Sequence, residues 1–241
     1  MIQAVHQGNQ RYRIYDSGKD MGCINVSQNP YHNRHLYLSL GLTRYDPQIA
    51  GELFRVLRRE LGRPLQVMLY ASESIHDFLI AGGFERKRRC YEWEARAANL
   101  AAPLEEAVSL TKVSEGTVEY DLCCKLLYDY YSKTHLAVSP LTADAEAFCA
   151  DLPGTVLCHT ADRGIVHFAF MAPDEEGYEI AYVGTIRPDN FKPFAQSVVA
   201  KLFRECDRIT AECDDIDPAA MALKSLFHLP EVTPYDTYIL D

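Results

Sequence analysis

Two spacings of apolar residues take turns along this chain, every second position and then every third or fourth, which predicts strands alternating with helices. The clearest run is residues 178–229. YEIAYVGTI predicts an apolar strand, and the polar linker RPDNFKP follows it. Phe194, Ala195, Val198, Val199, Leu202 and Phe203 then mark one buried helical face. ITAECDDI predicts a second strand. Asp217-Pro218 supplies an N-cap and a proline at the first helical position for AAMALKSLFHL, which stops at Pro230. The alternating tail TPYDTYIL predicts a last strand.

The same burial pattern occurs earlier. When Tyr37 is set on Tyr182, Ile49, Ala50, Leu53, Phe54 and Leu57 fall without a gap on Phe194, Ala195, Val198, Val199 and Leu202. Ser72 then meets Asp217 at the N-cap, and Trp93 meets Tyr238 in the tail. One residue of slip aligns RYRIYDSGKDMGCINV with TVLCHTADRGIVHFAF. Identities are few, so the pattern reads as a degenerate duplication. In the first copy a hairpin turns near Asp16-Ser17-Gly18, HLYLSLGL is a strand, and Asp46-Pro47 starts a helix that Gly62 and Pro64 end. LQVMLYA, ESIHDFLIAGGF and ERKRRCYEWEA read as strand, helix and last strand. Residues 96–105 read as a linker. The second copy opens with a strand VSLTKV, an apolar helix around YDLCCKLLYDYYSK, and a loop that includes another short helix.

Strand, helix, strand, helix and a closing strand, with the lead-in Ile186-Arg187-Pro188-Asp189, resemble the second half of the GNAT acyltransferase fold. The resemblance implies an α/β protein of two GNAT-like mixed sheets flanked by helices. Residues 1–98 would form a truncated, structural unit lacking the family's opening strand and first two helices. Residues 105–241 would form a complete unit. In the family two strands splay apart, acetyl-CoA lies in the gap, and its pyrophosphate meets the amides that start the next helix, where free N–H groups favour an anion. Here that helix start is Phe191-Lys192-Pro193-Phe194-Ala195, without the usual glycines, and Lys224 stands where the family commonly has a tyrosine.

Residue roles follow from the resemblance. Glu179, at the start of the central strand, is the general-base candidate, with His167 on the preceding strand as the alternative. The amides of Tyr182, Val183 and Gly184 would polarise the thioester carbonyl, with a bulge expected at Gly184. Arg187 and Lys192, with amides near Phe194, Ala195 and Gln196, would hold the phosphates, and Lys224 would protonate the departing thiolate. Each role has a plainer counterpart: a strand-end carboxylate, a solvated histidine in a sheet hairpin, solvated cations, a lysine lying along the surface.

Composition narrows the partners. The chain is 48% hydrophobic and 24% charged, and no apolar run approaches the roughly 18 residues of a membrane span. The absence of a signal core and of any C-x-x-C pair among eight cysteines predicts reduced thiols in a cytoplasm. Net charge is −10, unevenly placed: residues 1–100 hold 14 Lys and Arg against 10 Asp and Glu, and residues 101–241 hold 10 against 24. An acidic second half suits a small amine-bearing substrate and argues against nucleic acid, the short basic run Arg86–Arg89 notwithstanding. His32 and His35 lie in a polar loop without partner ligands, so no metal is expected. Oligomeric state is left open. The expected function is acetyl-CoA-dependent N-acyl transfer to a small amine, and its rival is a non-catalytic binding or regulatory protein on the same fold.

Overall fold

The computed structural model describes residues 1–104, 106–162 and 164–241; residue 105, the expected start of the second unit, lies outside them. The chain divides into two units. One comprises Met1–Arg89, Val138–Thr142 and Pro234–Asp241, the other Cys90–Ala137 and Ala143–Thr233. These bounds differ from 1–98 and 105–241 because a strand near the end of each sequence half is built into the unit formed mainly by the other half.

In unit 1, strands β1 (Ile2–His6), β2 (Arg11–Asp16) and β3 (Lys19–Ser27) form an antiparallel meander. The β2–β3 turn uses Ser17 and Gly18, both at positive φ, which matches the twist of a two-residue hairpin. β1 is an opening strand that was expected to be missing. The Ile2 side chain is buried, so a short, mostly exposed segment gains its place from one anchored residue. β4 (Leu36–Leu42) leads to α1 (Pro47–Leu61), capped by the Asp46 carboxylate on Gln48 N–H and ended by Gly62 in the left-handed conformation. β5 (Leu65–Tyr70) and α2 (Glu73–Ala81) follow, then β6 (Glu85–Ala95), of which only Glu85–Arg89 belongs to this unit.

β4 pairs in parallel with β5 from Leu36↔Leu65 to Leu38↔Val67 and no further. On its other side β5 pairs antiparallel with Tyr235–Leu240 of the tail. Ala50, Leu53, Phe54 and Leu57 of α1 pack with Leu65, Val67, Phe78, Phe84 and the tail's Tyr238 in one core. Segment 138–142 joins the unit through Thr142 N–H to the Tyr31 carbonyl (2.7 Å) and Gln66 Nε2 to Ser139 Oγ (3.5 Å).

Unit 2 begins with Cys90–Ala95 of β6. Then come β7 (Thr111–Ser114), α3 (Val118–Thr134), α4 (Ala145–Ala150), β8 (Thr155–Ala161), β9 (Gly164–Asp174) and β10 (Gly177–Thr185). α5 (Phe191–Leu202), β11 (Arg208–Asp214) and α6 (Pro218–Lys224) complete it, and the tail strand is β12 (Tyr235–Leu240). The opening strand sits slightly later than VSLTKV, and α6 is shorter than AAMALKSLFHL. β11 pairs antiparallel with β6, from Ile209↔Ala95 to Asp214↔Cys90. Trp93 and Ala95 therefore lie in the core of unit 2, beside Ile180, Phe194, Val198 and Ile209. That face carries α5 and α6. The opposite face carries α3 and α4, with Tyr120 set against Phe170 and Phe148 against Tyr182. The closing strand of each unit thus comes from the other half of the sequence: Cys90–Ala95 of β6 completes unit 2 and β12 completes unit 1.

Candidate active site

The centre of unit 2 is where β10 and β11 part. They pair in parallel from Gly177↔Arg208 to Ile180↔Ala211. A bulge at Ala181 then breaks the register of β10. Beyond it, Tyr182 to Thr185 pair with Phe170 to His167 of β9, while Glu212 to Asp214 pair with β6. Two strands that start as neighbours thus leave a gap between them. The bulge lies at Ala181 and not at Gly184. Glycine is needed at Gly184 for another reason, since a Cβ there would come within 2.3 Å of the Phe168 ring.

The bulge also reassigns the faces. Simple alternation places Glu179, Ala181 and Val183 together. The extra residue instead brings Ile180 and Val183 into one buried core and sends Tyr182 to the opposite side, against Tyr131 and Phe148.

Glu179 is exposed at the start of β10, on the rung it shares with Thr210. It lines an open cleft of about 370 Å³ together with Glu92, Glu94, Thr210 and Glu212. Glu92 pairs with Glu212, and Glu94 with Thr210, so four carboxylates from three adjacent strands share one sheet face beside the gap. The Glu212 side chain meets solvent on its open side and is crowded by protein on the other. That crowding raises its pKa first, and Glu92, Asp214 and Glu179 add to the rise by repulsion. Alternation around Trp93 could have revealed Glu92 and Glu94 as one face. It could not reveal that β6 would lie next to β11.

The other expected residues are dispersed. His167 faces the α5 side, between Phe191 and Phe194, and shares a 2.8 Å hydrogen bond with the Thr185 hydroxyl. Its rung is Thr185, at the opposite end of β10 from Glu179, so the two candidate bases do not meet. Burial, then the charges of His159 and Arg187, push its pKa down to about 4 and keep it neutral near pH 7. Lys224 ends α6 with Nζ 4.6 Å from the centre of the Tyr91 ring, a cation–π contact that occupies its charge. Arg187 pairs with Asp162 at 2.7 Å. Lys192 is exposed, whereas the Phe194 and Ala195 side chains are buried, which leaves only the backbone at that turn for a ligand. Gln196 is half-buried on the same turn. α5 starts at Phe191 with Asn190 making no side-chain cap, and Pro193 offers no N–H.

An acyl-CoA would find two matching features here, the edge of β10 beyond Ala181 and the cations Arg187 and Lys192 before and within the first turn of α5. The gap itself is crossed by Tyr130 of α3. Its hydroxyl donates to Asp217 Oδ1 at 2.6 Å and accepts from the Ala219 amide at 3.3 Å. Just beyond, His135 Nε2 lies 3.0 Å from Asp214 Oδ2. Among the described residues there is no group of three or more His, Cys, Asp or Glu placed to hold a metal, and no helix is long and apolar enough to cross a membrane.

No family model matches this sequence, and no curated protein matches it. Solved structures do match. A GCN5-related N-acetyltransferase from Sphaerobacter thermophilus superposes with a TM-score of 0.60 at 12% identity, over 98% of this chain and 82% of that one. A conserved protein of unknown function from Enterococcus faecalis V583 superposes with a TM-score of 0.52 at 10% identity, over 95% of this chain and 61% of that one. At such identities the likeness establishes the fold, which is that of GNAT acyltransferases.

Proposed function

We propose that unit 2 transfers an acyl group, acetyl in the simplest case, from acyl-CoA directly to a small cationic amine. The two units would be a degenerate tandem duplication, with unit 1 structural. The observation that carries this reading is the four-carboxylate cleft opening beside the Ala181 bulge, where β10 and β11 separate. A thioester donor, when bound, supplies the activated acyl carbon.

The chain's own residues do the rest. Glu92, Glu94, Glu179 and Glu212 attract an ammonium and hold it on the sheet face next to the gap. One of them must then take its proton, because only the neutral amine is a nucleophile. Glu179 stands nearest the bulge along β10. Glu212, with its raised pKa, lies closer to the working pH of a base. Arg187 and Lys192 would bind phosphate, Arg187 by exchanging Asp162 for it. The edge of β10 from Tyr182 to Gly184 would orient the acyl carbonyl. Lys224, held over Tyr91, would first have to leave that ring to protonate a thiolate. A cytoplasmic setting fits such a substrate.

Thermal shift with acetyl-CoA tests the donor half of this reading, since a ligand that binds only the folded state at a hundredfold excess over Kd adds about 2.7 kcal/mol. Free-thiol release with a panel of mono-, di- and polyamines tests the acceptor half. A second reading, a non-catalytic binding protein on the same fold, is favoured by Tyr130 in the gap and by the aromatic, proline-bearing start of α5. It predicts amine binding without thiol release.

A further inference from the structure

We infer that Tyr130 is a displaceable gate across the gap between β10 and β11, latched by its hydroxyl on Asp217. The inference rests on the acyl-donor reading of unit 2, since it concerns what that gap admits.

α3 packs its buried residues Tyr120, Cys123, Cys124 and Leu127 on one side of the sheet. Tyr130 leaves that side. Its Cδ1 lies 3.2 Å from where a Gly184 Cβ would be, and its ring packs against the cluster that holds Val183, Ala219 and Ala220. Its hydroxyl ends on the N-terminal turn of α6, the helix on the opposite face. The side chain therefore threads between two strands that do not pair. Burial and the adjacent Asp217 carboxylate hold the phenol above its ordinary range, so its proton stays on oxygen and donates to Asp217.

The latch can open without unravelling the helix. Asp217 Oδ1 also accepts from the Ala219 and Ala220 amides, at 2.9 and 3.1 Å, so α6 stays capped when Tyr130 leaves. Release costs one hydrogen bond to a charged group and the contacts of one half-buried ring. Anything that binds in the gap has its apparent affinity lowered by the fraction of molecules in which the gate is shut. Weakening the latch removes part of that loss.

The test titrates acetyl-CoA calorimetrically into the full-length wild type, Tyr130→Phe and Tyr130→Ala, with a melting curve to establish that each is folded. The Phe variant keeps the ring and loses only the latch, so it serves if the Ala variant does not fold. We expect affinity to rise roughly tenfold or more in Tyr130→Phe, the worth of one hydrogen bond to a charged group. In wild type the hydrogen-bonded Tyr130 hydroxyl proton, resolved downfield by NMR, should vanish at saturation. Unchanged or weaker affinity in the variants, or a Tyr130 proton that persists in the saturated wild type, overturns the gate and leaves the donor reading standing. Absence of binding in all three proteins overturns both.

Discussion

Trp93 Nε1 donates a hydrogen bond to Cys213 Sγ at 3.1 Å, inside a core whose other buried residues, Ala95 apart, all lie beyond residue 100. The indole is 6% exposed and packs on Phe227 with ring centres 5.1 Å apart. A strand from the first hundred residues is thus a structural part of unit 2. In return, Tyr238 of the tail is fully buried in unit 1, its hydroxyl 2.9 Å from His76 Nδ1.

Fragments cut at the middle of the chain should therefore fail. Residues 1–100 lack β12, which leaves one edge of β5 unpaired and the core without Tyr238. Residues 105–241 lack Trp93 and one edge partner of β11. Each fragment should give aggregated or molten material by near-ultraviolet circular dichroism, and co-expression of the two should restore a cooperative melt. A fragment that melts cooperatively as a monomer would contradict this. Trp93→Ala in the full chain should cost about 3–5 kcal/mol by denaturant titration.

Glu179→Gln should lower turnover by roughly 10²–10⁴, the usual worth of a positioned base, while acetyl-CoA affinity stays unchanged. Thiol release with the preferred amine is the measurement. An unaltered rate would move the role to Glu212.

Glu212→Gln should stabilise the protein at pH 8. The native pKa of Glu212 is raised, so the folded state binds a proton more readily than the unfolded one and stability falls as pH climbs through that raised value. The variant's higher melting midpoint at pH 8 should shrink toward the wild-type value as pH falls into the ordinary glutamate range. A difference that stays constant as pH falls would show that the substitution acts through something other than the titration of Glu212.

His167 gives the opposite slope. An unfolded histidine titrates near 6.5, and this one is pushed down to about 4 by burial. Between those values the unfolded chain holds a proton that the native state lacks, so stability is lost as pH falls from 6.5 to 4. The full effect is about 3 kcal/mol. His167→Gln should flatten that part of the stability–pH curve, measured by urea titration in steps of half a pH unit. An equally steep curve would assign the slope to other groups. Thiol release by this variant at pH 7.5 should stay within a few-fold of wild type, since the imidazole is buried away from the cleft.

Much of the architecture was legible because it is local. Caps at Asp46 and Asp217, the turn at Ser17-Gly18 and the α-helical spacing of α1 and α5 each depend on neighbours in sequence, where steric preference and hydrogen bonding act directly. The separation of β10 from β11 was expected only through resemblance to a fold. The displacement of the bulge from Gly184 to Ala181 was not readable, because a bulge is a property of register against β9, which period-two alternation does not carry. The missed strand at Ile2–His6 has one buried apolar residue, too little for a periodic signal.

By itself, then, the sequence determined the kind and order of nearly all the elements, the faces that the helices bury and the acidic character of the second half. Only the tertiary structure decided which closing strand completes which unit. ERKRRCYEWEA and TPYDTYIL satisfy the same alternation, and hydrophobic burial is indifferent to which of two edges a strand covers. The partner is chosen by side chains far away in sequence, Cys213 for Trp93 and His76 for Tyr238. That choice brings Glu92 and Glu94 beside Glu212 and Glu179, and so makes a cleft from residues whose spacing along the chain gave no reason to associate them.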